Sequence, residues 1–103
     1  MADPMRIRAS MQGDRVLVRV LMSHEMETGQ RKDSSGSVIP AFFIQSVTAS
    51  HNGRTVLQAE WGPAVSKNPY LQFQFVSGKP GDKLRITWTD NQGDSRTDEV
   101  VIR

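Results

Sequence analysis

The sequence predicts an all-β fold: an immunoglobulin-like antiparallel β-sandwich of about seven strands. Three observations carry this expectation. Apolar residues recur with period two almost throughout, turn residues fall at intervals of roughly 8 to 12, and no segment needs the 3.6-residue period of a helix. No Cys pair marks an antibody-type domain. At 103 residues, the whole chain, 1–103, is expected to form a single domain that buries about two-thirds of its unfolded surface and folds without staples.

Met5, Ile7, Ala9 and Met11 share one face of a first strand, with Arg6, Arg8 and Ser10 on the other. Gly13-Asp14 turns the chain into RVLVRVLM. Val16, Val18, Val20 and Met22 line one face of this second strand, but Leu17 and Leu21 stand opposite, so it is expected to be central and covered on both sides. A third strand near Phe42 to His51 and a fourth, Arg54 to Trp61, flank Asn52-Gly53, two residues that tolerate the positive φ of a tight hairpin. In the fourth strand Leu57, Ala59 and Trp61 share a face, which makes Trp61 the last inward residue before a loop.

YLQFQFVS, from Tyr70, then turns Leu71, Phe73 and Phe75 inward. Gly78 to Gly81 forms the next turn, and KLRITWTD sets Leu84, Ile86 and Trp88 against Lys83, Arg85 and Thr87. Asp90-Asn91-Gln92-Gly93 suits a type I turn with Gly93 left-handed, and SRTDEVVIR supplies the seventh strand.

Thirteen Lys and Arg against eleven Asp and Glu give a net charge of +2. The basic residues are spread along the chain, without the clustered face that phosphate binding favours, so no nucleic-acid partner is expected. One stretch is mildly cationic: from Ser34 to Gly81 the only acid is Glu60, against Arg54, Lys67 and Lys79. No apolar run approaches the ~20 residues of a membrane helix, and MADPMRIRAS has no signal-peptide pattern. The chain has no cysteine, so it offers neither disulfides nor thiolate chemistry.

Two segments break the strand rhythm, Ser23 to Pro40 and Gly62 to Pro69. Long connections in compact domains concentrate function. His24, Glu25 and Glu27 offer an imidazole and two carboxylates to a metal, yet position 28 is Thr where the helical zinc motif needs a second His. The simpler reading is a polar loop with His24 hydrogen-bonded at a strand end; His51, beside the Asn52-Gly53 turn, reads as a surface residue. Ser66-Lys67 lacks the S-x-x-K spacing of a serine hydrolase, and no Ser/His/Asp set can be assembled, so no catalytic residue, cofactor or metal is expected. Pro63 and Pro69 stiffen the second loop, Pro69 is expected to hold Asn68 extended, and Tyr70 offers a ring with a polar tip. A stiff loop loses little entropy on meeting a partner.

LMSHEMETGQRKD, VIPAFFIQSVTASHNGRTVLQAEWGPAVSKNPYLQFQF and KPGDKLRITWTDNQGDS together closely resemble the SoxZ family of bacterial thiosulfate oxidation. The motifs S-H-x-M-E-T-G, I-P-x-x-F-I, H-N-G, W-G-P-x-x-S-K-N-P-Y and G-D-x-x-x-x-x-W-x-D-N-x-G occur in order over nearly the whole chain. The resemblance implies a non-catalytic subunit that forms a heterodimer with SoxY, whose C-terminal Cys arm carries covalently bound sulfur intermediates. The heterodimer would visit the c-type haem sulfurtransferring enzyme, the dimanganese thiol hydrolase and the sulfane dehydrogenase. It also implies a periplasmic location, reached by export with a signal-bearing partner. On this reading the partner-facing residues are His24, Met26, Glu27, Arg31 and Lys32 from the first loop, and Trp61, Val65, Ser66, Lys67, Asn68 and Tyr70 from the second. A small metal-dependent enzyme using His24, Glu25 and Glu27, or a general immunoglobulin-like interaction domain, are the alternatives.

Overall fold

In the computed structural model, which describes residues 3–103, the chain forms seven antiparallel strands and no helix. They are β1 (Arg6–Gln12), β2 (Arg15–Leu21), β3 (Ile44–His51), β4 (Arg54–Glu60), β5 (Tyr70–Val76), β6 (Lys83–Asp90) and β7 (Ser95–Val101). A three-stranded sheet, β1-β2-β5, packs on a four-stranded sheet, β4-β3-β6-β7. The result is an immunoglobulin-like sandwich in which β4 stays beside β3, its hairpin partner, instead of crossing to the first sheet as in a constant-type domain.

The turns follow from their residues. Asn52 (φ 49°) and Gly53 (φ 85°) are both left-handed, as a two-residue hairpin with strand-like twist requires. Gly93 N–H donates to Asp90 O, and Gly93 is left-handed (φ 85°), closing the β6–β7 hairpin. The turn before β6 lies one residue later than expected: Asp82 N–H donates to Lys79 O across Pro80-Gly81, the Pro-Gly pair suited to a type II turn. Gly78 is instead buried against the core, and a Cβ there would lie 2.3 Å from Val16 Cγ2.

Val16, Val18, Val20, Ile44, Val47, Leu84 and Ile86 are fully buried between the sheets, as the period-two pattern implied. Burial is uneven, because three strands cannot cover four. The inward Leu57 and Ala59 of β4 and Leu71 and Phe73 of β5 are only half-buried, and Trp61 packs at the same margin. One long side of the sandwich is therefore open.

β2 is central, but the expectation that it is covered on both sides fails. Leu21 is 42% exposed and Leu17 half-buried, because no layer lies over the outer face of the three-stranded sheet. The basic residues are also not dispersed. Antiparallel pairing of β1 with β2 gathers Arg6, Arg8, Arg15 and Arg19 on that outer face. His51 is not a simple surface residue either: its Nε2 lies 2.7 Å from Asp82 Oδ2, and its ring packs on Phe75.

The first long connection has structure of its own. Glu27 and Phe42 exchange backbone hydrogen bonds, Ile39 N–H donates to Arg31 O, and Lys32 bridges Val38. Asp33 and Ser37 close the tip, where the Asp33 carboxylate accepts from Ser35 and Ser37 N–H. This irregular hairpin arm runs from Glu27 to Phe42 and is exposed throughout Gln30 to Val38. The 15.5 Å radius of gyration and 53 Å long axis describe an elongated molecule, against the ~13 Å radius of a compact domain of this length.

Candidate functional site

The β2–β5 ladder pairs Leu21 with Tyr70, and its hydrogen bonding continues past the ends of both strands. Met22 N–H donates to Pro69 O (2.9 Å), Asn68 N–H to His24 O (3.0 Å), and His24 N–H to Asn68 Oδ1 (3.1 Å). The two long connections are thus joined at one end of the sandwich. Asn68 is left-handed (φ 52°), not extended as the following proline led us to expect. Its paired backbone and side-chain bonds to His24 offset the pre-proline clash, and Asn is among the residues that tolerate this region.

The His24 side chain lies beneath this junction. Its Nε2–H donates to Asp90 Oδ2 at 2.9 Å, and its Nδ1 lies against the Glu25 carbonyl. The ring is tilted on Phe42 (4.5 Å between centroids) and meets Trp88 edge-on (4.7 Å). At 8% exposure His24 cannot itself present a surface to a partner, and it acts instead as an internal clamp. Asp90 Oδ1 accepts from Gln92 and Asp94 N–H, both at 2.9 Å. Burial pushes the Asp90 carboxyl up, but the His24 hydrogen bond and these two backbone donors outweigh it and hold the group below the usual carboxylate range.

Asn91 fixes the root of the arm. Its side chain accepts from Phe43 N–H and donates to Ala41 O, both at 2.8 Å, and its backbone N–H donates to Phe43 O. Where the arm leaves the sandwich, Gly29 (φ 85°) approaches Ala41 so closely that a Cβ would sit 3.2 Å from the Ala41 Cβ. Sequence reading had singled out neither Asp90 nor Asn91 for this end; both read there as turn residues, a role they also fill.

The other expected residues spread around this end. Met26 packs against the core. Glu27 sits at the base of the arm and accepts from Arg31 Nε and Nη2 (2.5 to 3.2 Å), which holds its carboxyl below the usual range. Lys32 is exposed along the arm, and Ser66, Lys67 and Asn68 are exposed on the second loop. Lys67 reaches Glu25 at 3.0 Å, an exposed pair that ties the loops only weakly. Val65 is half-buried beside the Gly62 turn, and Trp61 N–H donates to Gln45 O. Tyr70 lies apart from Trp61: it is 58% exposed on the outer face of the three-stranded sheet, with its hydroxyl on Gln72.

A cleft of about 530 Å³ opens between the loops, lined by His24, Phe42, Lys67, Asn68, Trp88 and Asp90 among others. The arrangement suits stiff presentation of a surface. Glu25 and Glu27 engage Lys67 and Arg31, and among the described residues no three His, Cys, Asp or Glu side chains gather as metal ligands.

A family model described as sulphur oxidation protein SoxZ matches residues 5–101. Among solved structures, the crystal structure of hypothetical protein PH1083 from Pyrococcus horikoshii OT3 is similar, with a TM-score of 0.65 and 19% identity. The match covers 99% of this chain and 89% of that one, and at this identity it speaks for the fold alone. No curated protein matches the chain.

Proposed function

Because the chain belongs to the SoxZ family and so has a role in sulfur oxidation, we propose that it is the non-catalytic subunit of a carrier, paired with SoxY. SoxY would hold the sulfur intermediates on its C-terminal Cys arm, and this chain would help present that arm to the haem sulfurtransferring enzyme, the dimanganese thiol hydrolase and the sulfane dehydrogenase.

One observation carries the reading at the level of residues: the reciprocal His24–Asn68 bonds that turn two long connections into one stiff end. Ordering those loops beforehand lowers the entropy lost on docking. Arg31 and Lys32 on the arm, and Val65, Ser66, Lys67 and Asn68 on the second loop, would meet the partner, with His24, Met26 and Glu27 positioning them. The half-buried Trp61, Leu71 and Phe73 at the open side offer adjoining apolar area. A chain without cysteine cannot take the partner's sulfur by thiolate exchange, which suits a carrier subunit.

Co-expression with SoxY and size-exclusion chromatography tests the pairing. A one-to-one complex that weakens when Asn68 is replaced is expected, and independent elution overturns the reading. The carrier would work in the periplasm, delivered by its signal-bearing partner. Fractionation of cells with and without that partner's signal checks this.

A further inference from the structure

The outward residues of β1 and β2 bring four arginines onto one sheet face. Arg8 stands directly opposite Arg19, and Arg6 and Arg15 flank them on the same face. Like charges placed opposite each other across an antiparallel pair oppose folding. Three of the five other arginines are paired: Arg31 holds Glu27, Arg85 holds Glu99, and Arg96 holds Asp98. Among the described residues Arg6, Arg8, Arg15 and Arg19 make no ion pair, and no outward residue of β1, β2 or β5 is acidic.

The same face is apolar in places. Leu21 lies between Arg6 and Tyr70 in the register, and Val76 at the far end is 59% exposed. Along its β1 side runs an open groove of about 830 Å³, lined by Arg8, Leu17, Arg19, Val101 and Arg103 among others, with no Asp or Glu side chain in its walls.

We propose that this face is a docking surface for an acidic protein segment, independent of the loop end and of the partner held there. A carboxylate bridging Arg8 and Arg19 would relieve their repulsion, and guanidinium groups suit it because their paired N–H donors match carboxylate geometry. Exposed Leu, Tyr and Val interleaved with Arg, and no Lys among the face's cations, match protein interfaces better than a phosphate-tracking surface. Size decides the kind of contact. Three strands of seven residues present a face of roughly 14 by 24 Å, about 340 Å², less than half of the ~800 Å² per partner of a standard stable interface. The contact is therefore transient, steered by charge and sensitive to salt.

The test uses the full chain in a two-dimensional amide NMR titration with a short peptide of Asp, Glu and Gly. The expected result is saturable shifts confined to β1, β2, β5 and the groove residues Val101 and Arg103, weakened about tenfold on going from low to physiological salt and about tenfold in the Arg8→Gln/Arg19→Gln double variant. Arg54→Gln, on an exposed residue of the other sheet, leaves them unchanged. Both arginines are exposed, so the double variant is expected to keep the native spectrum away from the face. Shifts scattered over the surface, or unaffected by the double variant, overturn the proposal. So does saturation of the same amides at lower concentration by a DNA oligonucleotide or by phosphatidylserine vesicles, which would assign the face to nucleic acid or membrane.

Discussion

Asn68 and His24 hold each other across 44 residues of sequence, each donating its backbone N–H to the other, His24's to Asn68 Oδ1 and Asn68's to His24 O. This places a left-handed residue immediately before a proline, a conformation that persists because the surrounding hydrogen bonds demand it. The Asp90 carboxylate, beneath the His24 ring, joins the β6–β7 turn to the same junction.

Asn68→Ala removes the acceptor of His24 N–H and puts a less tolerant residue at positive φ. A loss of about 1–3 kcal/mol is expected, read as a lower denaturation midpoint with unchanged slope. Asn68→Gly keeps the backbone conformation and loses only the side-chain bond, so it should be milder. Both variants should weaken the proposed one-to-one complex with SoxY.

The Asp90 carboxyl is held below its reference value of 3.8. As pH falls, the unfolded chain therefore takes up that proton before the folded chain does. The contribution is complete above pH ~4 and is lost as pH drops through the folded pKa. Thermal unfolding followed below pH ~4 should show falling stability, with a flatter profile in Asp90→Asn. Asp90→Ala leaves the buried His24 donor and the part-buried N–H groups of Gln92 and Asp94 without their acceptor and should cost about 2–3 kcal/mol even at neutral pH.

Gly78→Ala tests the packing of the turn into β6. The added Cβ would meet Val16 Cγ2 at 2.3 Å, with Phe75 Cε2 and Ile102 Cδ1 at 3.2 and 3.3 Å. Overpacking of this kind costs about 1–3 kcal/mol, and each 1 kcal/mol lowers Tm by about 4–8 °C in a domain of this size.

Arg8→Gln removes one member of the like-charge pair with Arg19. A gain of a few tenths of a kcal/mol is expected at low ionic strength, fading as salt screens the pair. Thermal unfolding at two salt concentrations checks it. The residue would then be more stable when replaced, as expected where a position serves binding.

Ser66→Cys places a thiol on an exposed part of the second loop. If that loop lies at the mouth where the SoxY arm docks, mild oxidation of the complex should yield an intermolecular disulfide on a non-reducing gel. The same substitution at Ser95, exposed on the other sheet, should give none.

Much of the fold was legible because its signals are local. Period-two alternation fixes which side chains of a strand share a face, and Asn52-Gly53 and Asp90 to Gly93 supply backbone conformations that few other residues accept. The inward sets Val16, Val18, Val20 and Leu84, Ile86, Trp88 are therefore readable from the chain alone. The exceptions have physical causes. Leu17 and Leu21 looked like evidence for a covered face because an apolar side chain does not reveal whether a layer lies over it. Asn68 looked extended because the proline effect is local, whereas the bonds to His24 that override it are not.

By itself the sequence determined the strands, their faces, the hairpin turns and, through its ordered motifs, the family resemblance. Tertiary structure alone decided what those parts assemble. His24, Asn68 and Asp90 meet at one end only because β2, β5 and β6 terminate there. Arg8 and Arg19 face each other only because a two-residue turn sets the β1–β2 register. Spacing along a chain encodes direction within one strand. Which strands become neighbours, and which surfaces stay uncovered, depends on burying the most apolar area with three strands set against four.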